Sequence, residues 1–361
     1  MYNASIIIPV DNSYALLDNF FNSLFTSIDK SKYEIIVVDD NCEKHSSLEY
    51  LEKLKSRSLI DKLIHLKEKG GYSHANNIGI EQATSERIIL SNSDIIFMQG
   101  VLDELVNTLD DSRNGAVQPM LLYPQTSRIQ STGHIFGNLF NRHAFAEEKL
   151  EYTNLDEVIC RQALTTALCA TTKKIFLEAG GFDEQYYNGY EGLELTLKIG
   201  KSHRCIVRTD IYAYHIRSVA VTESTFDEEQ KIPLFWDRCK NMIYNDYKLL
   251  IEERIKDVYS PACSYSVIDF CVLDLYREIQ TLPIQISSYV RHMYLPKVTI
   301  ELFSVLPFMY TKTATPLIFL CDNYKQLENN HLWFCIRNCT RDIIIDSNGN
   351  VISPTRFADQ S

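Results

Sequence analysis

The chain has 361 residues, of which 45% are hydrophobic and 23% are charged, and its formal net charge at pH 7 is −11. This composition is ordinary for a globular protein of one or two domains. The negative charge argues against a surface that neutralises nucleic-acid phosphates, so we predict no nucleic-acid partner. It does not exclude a nucleotide ligand, because a local pocket and a divalent cation can offset the phosphates of a nucleotide.

The cysteines and the apolar segments bear on the compartment. The ten cysteines are scattered and include no Cys-x-x-Cys pair, which favours reduced thiols and a cytoplasmic protein. Residues 1–9 lack the basic region and the long apolar run of a signal peptide. The most apolar stretch, residues 302–320, contains Lys312 and two prolines. We therefore expect it to form packed irregular structure or a surface contact and not a membrane span.

The first hundred residues alternate between β-branched runs and amphipathic segments. The runs predict strands at residues 5–10, 34–38, 62–67 and 87–90, and the segments between them predict helices at 15–27, 46–56 and 72–83. Continuous Ile and Val runs separated by helices are typical of a parallel sheet covered on both faces. The sequence therefore predicts a doubly wound α/β domain, whose ligands bind at the carboxyl ends of the strands.

The pattern is less regular after residue 115. We predict strands at residues 116–122, 205–207 and 211–214 and helices at 191–199 and 226–255, with a polar connection up to about residue 141. The composition changes after Pro261, and Asn348-Gly349 between two apolar runs predicts a β-hairpin. We divide the chain into a domain of residues 1–225 and a mainly helical extension of residues 226–361. Acceptor binding, homodimerisation and peripheral contact with a membrane surface all remain open as roles of the extension.

Acidic residues follow three of the predicted strands. Asp11 follows the first strand, Asp39 and Asp40 end the second, and Asp94 follows the fourth. Carboxylates at such positions can hydrogen-bond a ribose or a base, or hold a divalent cation against phosphates. Each signal is weak alone, because Asp is common in turns and helix caps. Together, at one edge of one sheet, they favour a nucleotide site.

Six short motifs stand in the order seen in family 2 glycosyltransferases. They are IIIPV at residues 6–10, IVVDDN at 36–41, GGYSHANNIG at 70–79, LSNSD at 90–94, GGFDE at 180–184 and GYEGLEL at 189–195. The joint order is a strong signal, although each motif alone is not. The resemblance covers about residues 4–250. It implies a GT-A fold, with a Rossmann-like nucleotide-binding half and an acceptor-binding half, and an inverting enzyme that uses a nucleotide-diphosphate sugar.

The resemblance also implies a set of donor-binding residues. Asp39 would hold the nucleobase, with Asp40 at the ribose, and Asn76 and Asn77 correspond to residues that line the donor pocket. The other residues assigned to the donor are Pro9, Asp11, Gly71, Asn92 and Ser93. The segment 70–79 is similar to that of rhamnosyltransferase-like members, which use a dTDP-sugar, and a UDP-sugar is the equal alternative.

A divalent cation is implied by two further matches. Asp94 matches the last, metal-binding Asp of the family's DxD motif, whose first Asp is Asn92 here. His215 matches the family's late His, which closes over the diphosphate and can ligate the metal. Mg²⁺ or Mn²⁺ would neutralise the charge that grows on the leaving diphosphate. Asn92 would bind the metal through its amide oxygen or contact the donor sugar.

Inversion requires a base that takes the proton of the acceptor hydroxyl. In the family this base is a carboxylate in a segment usually written ED, which reads Glu191-Gly192 here. We assign the base to Glu191, with Glu194 one helical turn further as the alternate. Asp183 and Tyr190 are assigned to the acceptor side.

The sequence leaves two function classes open. The first is a glycosyltransferase acting on a glycan, lipid-linked or glycoprotein acceptor at the cytoplasmic side of a membrane, as family precedent implies. The second is a catalytically silent module that binds a nucleotide sugar or a glycan, because two family acids are missing. A nicotinamide oxidoreductase would share the doubly wound pattern. That reading is poor, because residues 9–13 contain no glycine for a dinucleotide-binding turn.

Overall fold

The structure is a computed structural model. It describes residues 2–11, 14–43, 45–136, 141–146, 155–216, 225–244, 266–271, 291–294, 317–337, 342–346 and 350–354, with the single positions 150, 246, 300, 302 and 306. The chain forms two compact units. The first comprises Met1–His134 and Asp156–Ile243, and the second comprises Ile135–Leu155 and Tyr244–Ser361.

The first unit is built on a ten-stranded mixed sheet. The strands of this part of the chain are β1 (Ala4–Val10), β2 (Tyr33–Asp39), β3 (Lys62–His65), β4 (Arg87–Ser91), β5 (Ile95–Ile96), β6 (Asn114–Leu122), β7 (Ile129–Ser131), β8 (His134–Phe136), β9 (Asn141–His143), β10 (Val158–Arg161), β11 (Leu168–Thr172) and β12 (Arg204–His215). The sheet order is β10-β12-β6-β11-β4-β1-β2-β3, with β5 on β12 and β7 on β6. Strands β8 and β9 form a separate two-stranded sheet, and all of it except His134 belongs to the second unit.

Strands β1 to β4 form a parallel block. Ile7 of β1 lies opposite Ile36 of β2 on one side and Leu90 of β4 on the other. Nearly every residue of β1 and β2 is buried, as parallel strands covered on both faces require. The predicted doubly wound α/β fold is confirmed. Strand β12 runs parallel to β6 with an irregularity between Arg208 and Tyr212, where the sequence pattern had suggested two strands.

The helices of the first unit cover this sheet. They are α1 (Tyr14–Ser27), α2 (His45–Ser56), α3 (Gly71–Gln82), α4 (Val101–Thr108), α5 (Lys173–Glu178), α6 (Glu191–Ile199) and α7 (Thr225–Cys239). The elements predicted for the first hundred residues agree with these bounds to within a few residues, whereas β5 and α4 were not predicted.

Helix α7 is shorter than the predicted helix of residues 226–255. It ends at Cys239, where the Met242 amide turns back to the Cys239 carbonyl. Further on, Asp246 is hydrogen-bonded through its backbone and its side chain to Phe136. Among the described residues, 240–244 and 246 are not helical, and residues 247–255 of the predicted helix lie outside the described residues. The helix lies in the first compact unit, although the sequence analysis placed it in the extension.

The described part of the second unit contains a five-stranded sheet. Its strands are β13 (Ser266–Asp269), β14 (Arg291–Tyr294), β15 (Leu317–Cys321), β16 (Ile343–Asp346) and β17 (Val351–Ile352), in the order β14-β13-β15-β16-β17. Strands β13 to β16 are parallel, and β17 is antiparallel to β16. Helix α8 (His331–Arg337) buries Trp333 and Phe334 against Phe319 of β15.

The sequence analysis did not predict this sheet within residues 226–361. Residues 317–320, expected to be irregular, lie in the fully buried strand β15, because a short apolar run does not distinguish a buried strand from other buried structure by periodicity. The predicted hairpin is present as the pair β16 and β17, with Ile345 opposite Val351. Its turn at Asn348-Gly349 lies outside the described residues. In the described part of the chain, no helix is long and apolar enough to span a membrane.

Candidate active site

Asn92, Asp94 and His215 meet at the end of strand β4. Strand β5 follows Asp94 and pairs antiparallel with β12, which places Ile95 opposite His215. The His215 Nε2 atom lies 3.2 Å from Asp94 Oδ1 and 3.3 Å from Asn92 Nδ2. The side chains of Asp94 and His215 are 8% and 13% exposed, so little water screens them from each other. We call these three residues the metal corner.

The donor atoms of the metal corner suit a divalent cation. Adjacent ligand atoms of an octahedral Mg²⁺ lie about 3 Å apart, because each is roughly 2.1 Å from the ion. The distance from Asp94 Oδ1 to His215 Nε2 matches that spacing. Asn92 Oδ1 is buried and has no hydrogen-bond partner among the described residues. The described residues contain no group of three or more His, Cys, Asp and Glu side chains that could hold a metal ion, so phosphate oxygens and water would have to complete the shell.

Gln130 contacts His215 from the side opposite Asp94, and the sequence analysis did not identify it. Its Nε2 donates to the His215 carbonyl oxygen at 3.0 Å, and its Oε1 lies 2.5 Å from His215 Nδ1. Gln130 lies in β7, within the stretch predicted as a polar connection after β6. The polarity of that connection was the one signal for it in the sequence.

Asp39 contacts a histidine that was also not predicted. Asp39 Oδ1 accepts a hydrogen bond from the Cys42 amide at 2.9 Å, and Oδ2 lies 2.8 Å from His65 Nδ1. The other ring nitrogen of His65 is 3.1 Å from Glu52 Oε1. Hydrogen bonds to Asp39 and then to Glu52 raise the pKa of His65, against the opposing effect of burial. His65 could have been found from the strand register, since it lies opposite Asp39 on the neighbouring parallel strand.

Asp40 anchors the turn before helix α3. Its two carboxylate oxygens accept hydrogen bonds from the amides of Gly70 and Gly71, at 2.7 and 2.9 Å. Gly71 has φ of 75°, and a Cβ there would lie 2.4 Å from the Tyr187 carbonyl oxygen. Glycine is therefore required at position 71 by backbone geometry. Asp40 and Gly71, which the resemblance assigned to the donor, form part of this turn in the structure.

Asn76 and Asn77 of α3 differ in whether the oxygen of the side-chain amide already has a hydrogen-bond partner. Asn77 donates to the Phe182 carbonyl oxygen and to Glu184, and it accepts from the Phe182 amide. Its amide thus joins α3 to the GGFDE segment. Asn76 donates to the Tyr72 carbonyl oxygen at 2.8 Å, while its buried Oδ1 has no hydrogen-bond partner among the described residues. Asn76 retains an acceptor for a ligand.

The remaining donor-side residues lie near the strand ends. Pro9 is opposite Val38 in the parallel block, and Ser93 is half-buried between Asn92 and Asp94. Asp11 is exposed, and its Oδ1 is 3.1 Å from Lys69 Nζ.

Asp183 and Tyr190 are held by helix α7. Asp183 Oδ1 accepts from the Gln185 amide at 2.9 Å, and Oδ2 lies 2.5 Å from Arg238. Tyr190 has φ of 74° and precedes α6, and its ring packs against Phe235 with centroids 5.2 Å apart. A left-handed backbone at a tyrosine is uncommon and is maintained by its surroundings. Both residues thus shape the segment that leads into α6.

Glu194 is fully engaged by neighbouring side chains. It accepts a hydrogen bond from the Tyr186 hydroxyl at 2.6 Å, and it lies 2.7 Å from Lys198 and 3.7 Å from Arg238. The guanidinium of Arg238 also covers the Tyr186 ring. These contacts occupy the carboxylate as a structural link between α6 and α7.

Glu191 lies one helical turn before Glu194 and is also buried. Its Oε2 has no hydrogen-bond partner among the described residues. Burial raises its pKa to about 7, against the lowering effects of backbone amides at Glu191 and Gly189 and of the Lys231 ammonium. Lys231 is itself buried on α7 and donates to the Asn188 carbonyl oxygen. A carboxyl group with a pKa near neutrality and an unused oxygen is suited to proton transfer.

Glu191 and the metal corner flank the same short segment before β11. The Asn92 amide donates to the Ala167 carbonyl oxygen at 2.8 Å. On the other side, a Cβ at Gly192 would lie 2.4 Å from Thr166 Oγ1, so α6 begins in close contact with that segment. This approach explains why position 192 is glycine where the family usually has a second acid.

The fold is shared with solved glycosyltransferases. The backbone is similar to that of mannosyltransferase PcManGT from Pyrobaculum calidifontis, solved with GDP-Man and Mn²⁺, with a TM-score of 0.50 over 72% of this chain and 71% of that one. It is also similar to GalNAc-T7, solved with UDP, GalNAc and Mn²⁺, with a TM-score of 0.52 over 70% and 54%. Sequence identity is 16% in both cases. The first unit therefore has the GT-A glycosyltransferase fold.

The sequence comparison points to a family for the N-terminal part of the chain. Residues 5–166 match the profile described as glycosyl transferase family 2. A curated relative is the O-antigen biosynthesis protein RfbC of Myxococcus xanthus, 24% identical over 212 residues that make up 57% of this chain and 16% of RfbC. The chain spans about a third or less of the length of the curated relatives it matches.

Proposed function

We propose that the chain is an inverting glycosyltransferase that moves a sugar from a UDP- or dTDP-sugar to a hydroxyl of a glycan, lipid-linked or glycoprotein acceptor. The observation that carries the proposal is the placement of Glu191. This buried carboxyl group, with a pKa of about 7 and an unused oxygen, begins a helix packed on the segment that also contacts the metal corner. A cytoplasmic location belongs to the same proposal.

The chemistry assigns one proton transfer to Glu191. The ionised carboxylate takes the proton of the acceptor hydroxyl while the hydroxyl oxygen attacks the anomeric carbon. The bond from that carbon to the diphosphate oxygen breaks on the opposite face, so the configuration inverts and the nucleoside diphosphate leaves. Because burial brings the Glu191 pKa to about 7, a substantial fraction of the group is ionised near neutral pH.

The metal corner would hold the diphosphate end of the donor. Asp94 and His215 supply a carboxylate oxygen and an imidazole nitrogen 3.2 Å apart, and Asn92 supplies a buried amide oxygen. Mn²⁺ or Mg²⁺ bound there would neutralise charge on the leaving diphosphate. The protein's own contribution would be to fix these three ligand atoms between β4 and β5 and at the end of β12.

A thermal-shift screen tests the proposal. UDP, dTDP, GDP and their sugar conjugates are added to the full chain with and without Mn²⁺, since a ligand that binds the native state raises its stability. We expect a shift for one nucleoside diphosphate that grows when Mn²⁺ is present, and turnover of the matching nucleotide sugar. Binding without turnover across donors and acceptors would instead identify a silent binding module. No shift with any nucleotide would refute the donor site.

A further inference from the structure

Both ends of the Gln130 side-chain amide contact the same residue, His215. Gln130 is 4% exposed, its Nε2 donates to the His215 carbonyl oxygen, and its Oε1 contacts His215 Nδ1. The register of β7 on β6 skips one residue here, with Ser131 opposite Leu121 and Ile129 opposite Leu122. Such an irregularity re-aims a side chain, and this one directs the amide of Gln130 to the end of β12.

These two contacts of Gln130 determine which nitrogen of the His215 imidazole carries the hydrogen. The His215 carbonyl oxygen accepts hydrogen bonds and never donates, so the amide nitrogen of Gln130 must face it. The amide oxygen then faces Nδ1, and a contact of 2.5 Å between them requires a hydrogen on Nδ1. In the neutral ring, Nε2 therefore carries a lone pair. Without a cation, that lone pair can accept a hydrogen bond from Asn92 Nδ2 at 3.3 Å, a contact that a bound cation would replace.

We infer that Gln130 is a positioning residue that presents the Nε2 lone pair of His215, together with Asp94, to a divalent cation. Two electron-rich atoms 3.2 Å apart repel each other unless a proton or a cation lies between them. By holding the hydrogen on Nδ1, Gln130 leaves the place between Nε2 and Asp94 Oδ1 for a metal ion. Partners of this kind on a metal-binding histidine are a general source of affinity. The inference rests on the proposed metal-assisted function.

Three variants of the full chain test this role. Gln130→Met removes both hydrogen bonds at similar volume, and Gln130→Glu keeps an acceptor for Nδ1. Gln118→Met is the matched control, because Gln118 is a buried amide bonded to the backbone of Thr165 and Pro119. Binding of Mn²⁺ alone is measured by the electron paramagnetic resonance signal of free Mn²⁺. Long-range ¹H–¹⁵N spectra of histidine-labelled protein report the His215 tautomer, assigned with His215→Gln.

The inference predicts an order of Mn²⁺ affinity. Gln130→Met should weaken binding about 10- to 100-fold, Gln130→Glu should weaken it less, and Gln118→Met should match the wild type. The metal-free wild type should show the Nδ1–H tautomer, and Gln130→Met should lose it. Equal affinity in all variants, or an unchanged tautomer in Gln130→Met, would overturn the role of Gln130. A wild type that shows the Nδ1–H tautomer but binds no Mn²⁺ would refute the proposed metal instead, and with it the metal part of this inference.

Discussion

The metal corner and the segment leading into helix α6 were both assigned from the family resemblance, but they are built differently. In the metal corner, the predicted residues Asn92, Asp94 and His215 contact one another directly. In the segment of residues 183–194, the predicted acids contact residues that no motif indicated, chiefly Arg238 of α7. Strand ends converge because sheet pairing brings them together, whereas the roles of acids in a loop depend on the helix that packs on it.

Two carboxylates one helical turn apart show this dependence most clearly. Glu194 is paired with Tyr186, Lys198 and Arg238, while Glu191 is buried with an unused oxygen. The sequence could rank them only by resemblance. The packing separates a structural acid from an acid available for chemistry.

The largest expected effect comes from exchanging these two acids for their amides. Glu191→Gln should lower kcat by about 10²- to 10⁴-fold, because it removes the general base. Glu194→Gln should lower the free energy of unfolding by about 1–3 kcal/mol, because it disturbs a buried hydrogen-bonded network, and should keep most of the activity. Steady-state kinetics and chemical denaturation of both variants check this. Full activity in Glu191→Gln would remove the distinction between the two acids.

The metal corner should respond through binding as well as rate. Asp94→Asn keeps the shape of the side chain and removes its charge, so we expect a loss of roughly 100-fold in kcat/KM and a smaller Mn²⁺-dependent thermal shift. Asp111→Asn is the control, since Asp111 pairs with Arg113 and Arg204 outside the site. An Mn²⁺ response in Asp94→Asn as large as in the wild type would place the metal elsewhere.

The raised pKa of Glu191 has a consequence for stability. Its folded-state pKa of about 7 exceeds the ordinary value of 4.5, so folding favours the protonated form. The stability that Glu191 contributes is fully present below about pH 4.5 and is lost as the pH rises through 7. Glu191→Gln should therefore become more stable relative to the wild type between pH 5 and pH 8, by up to about 3 kcal/mol. A pH-independent difference in unfolding free energy would indicate an ordinary pKa.

The smallest effect concerns the link to helix α7. Arg238→Met removes the partner of Asp183 and Glu194 while keeping an apolar stem beside the Tyr186 ring. Arg238 and Asp183 are partly exposed, and the buried Glu194 keeps its contacts with Tyr186 and Lys198. We therefore expect a loss of only about 1 kcal/mol in unfolding free energy, with a several-fold lower kcat as the segment before Glu191 loosens. Lys240→Met is the control, since Lys240 pairs only with exposed Asp237 among the described contacts. Equal kcat in the two variants would argue that α7 does not position this segment.

The sequence predicted the structural elements that depend on a local pattern of residues. The runs of Ile and Val gave strands β1, β2 and β4 close to their observed bounds, and sheet topology then placed Asp39 and Asp94 at one edge. It did not reveal Gln130, because the side-chain contact with His215 joins residues 85 positions apart. It did not reveal His65 either, although the register opposite Asp39 could have done so. The sheet of the second unit was missed because its strands are short, buried apolar runs without alternation, as in Leu317–Cys321.

Gly192 and Asp40 show a further limit of motif reading. Position 192 departs from the family's usual acid because Thr166 leaves no space for a side chain there. Asp40 matches a motif assigned to the donor, yet its oxygens hold the amides of Gly70 and Gly71. Neither contact can be derived from spacing alone, since both depend on how closely two backbone segments approach.

The stereochemistry of transfer tests the central claim most directly. Anomeric ¹H NMR of the first product formed from the donor identified by nucleotide binding reports whether the configuration changes. We predict a product of the opposite anomeric configuration in the wild type and no product in Glu191→Gln. Retention of configuration, or inversion that persists at full rate in Glu191→Gln, would contradict an inverting reaction with Glu191 as the base.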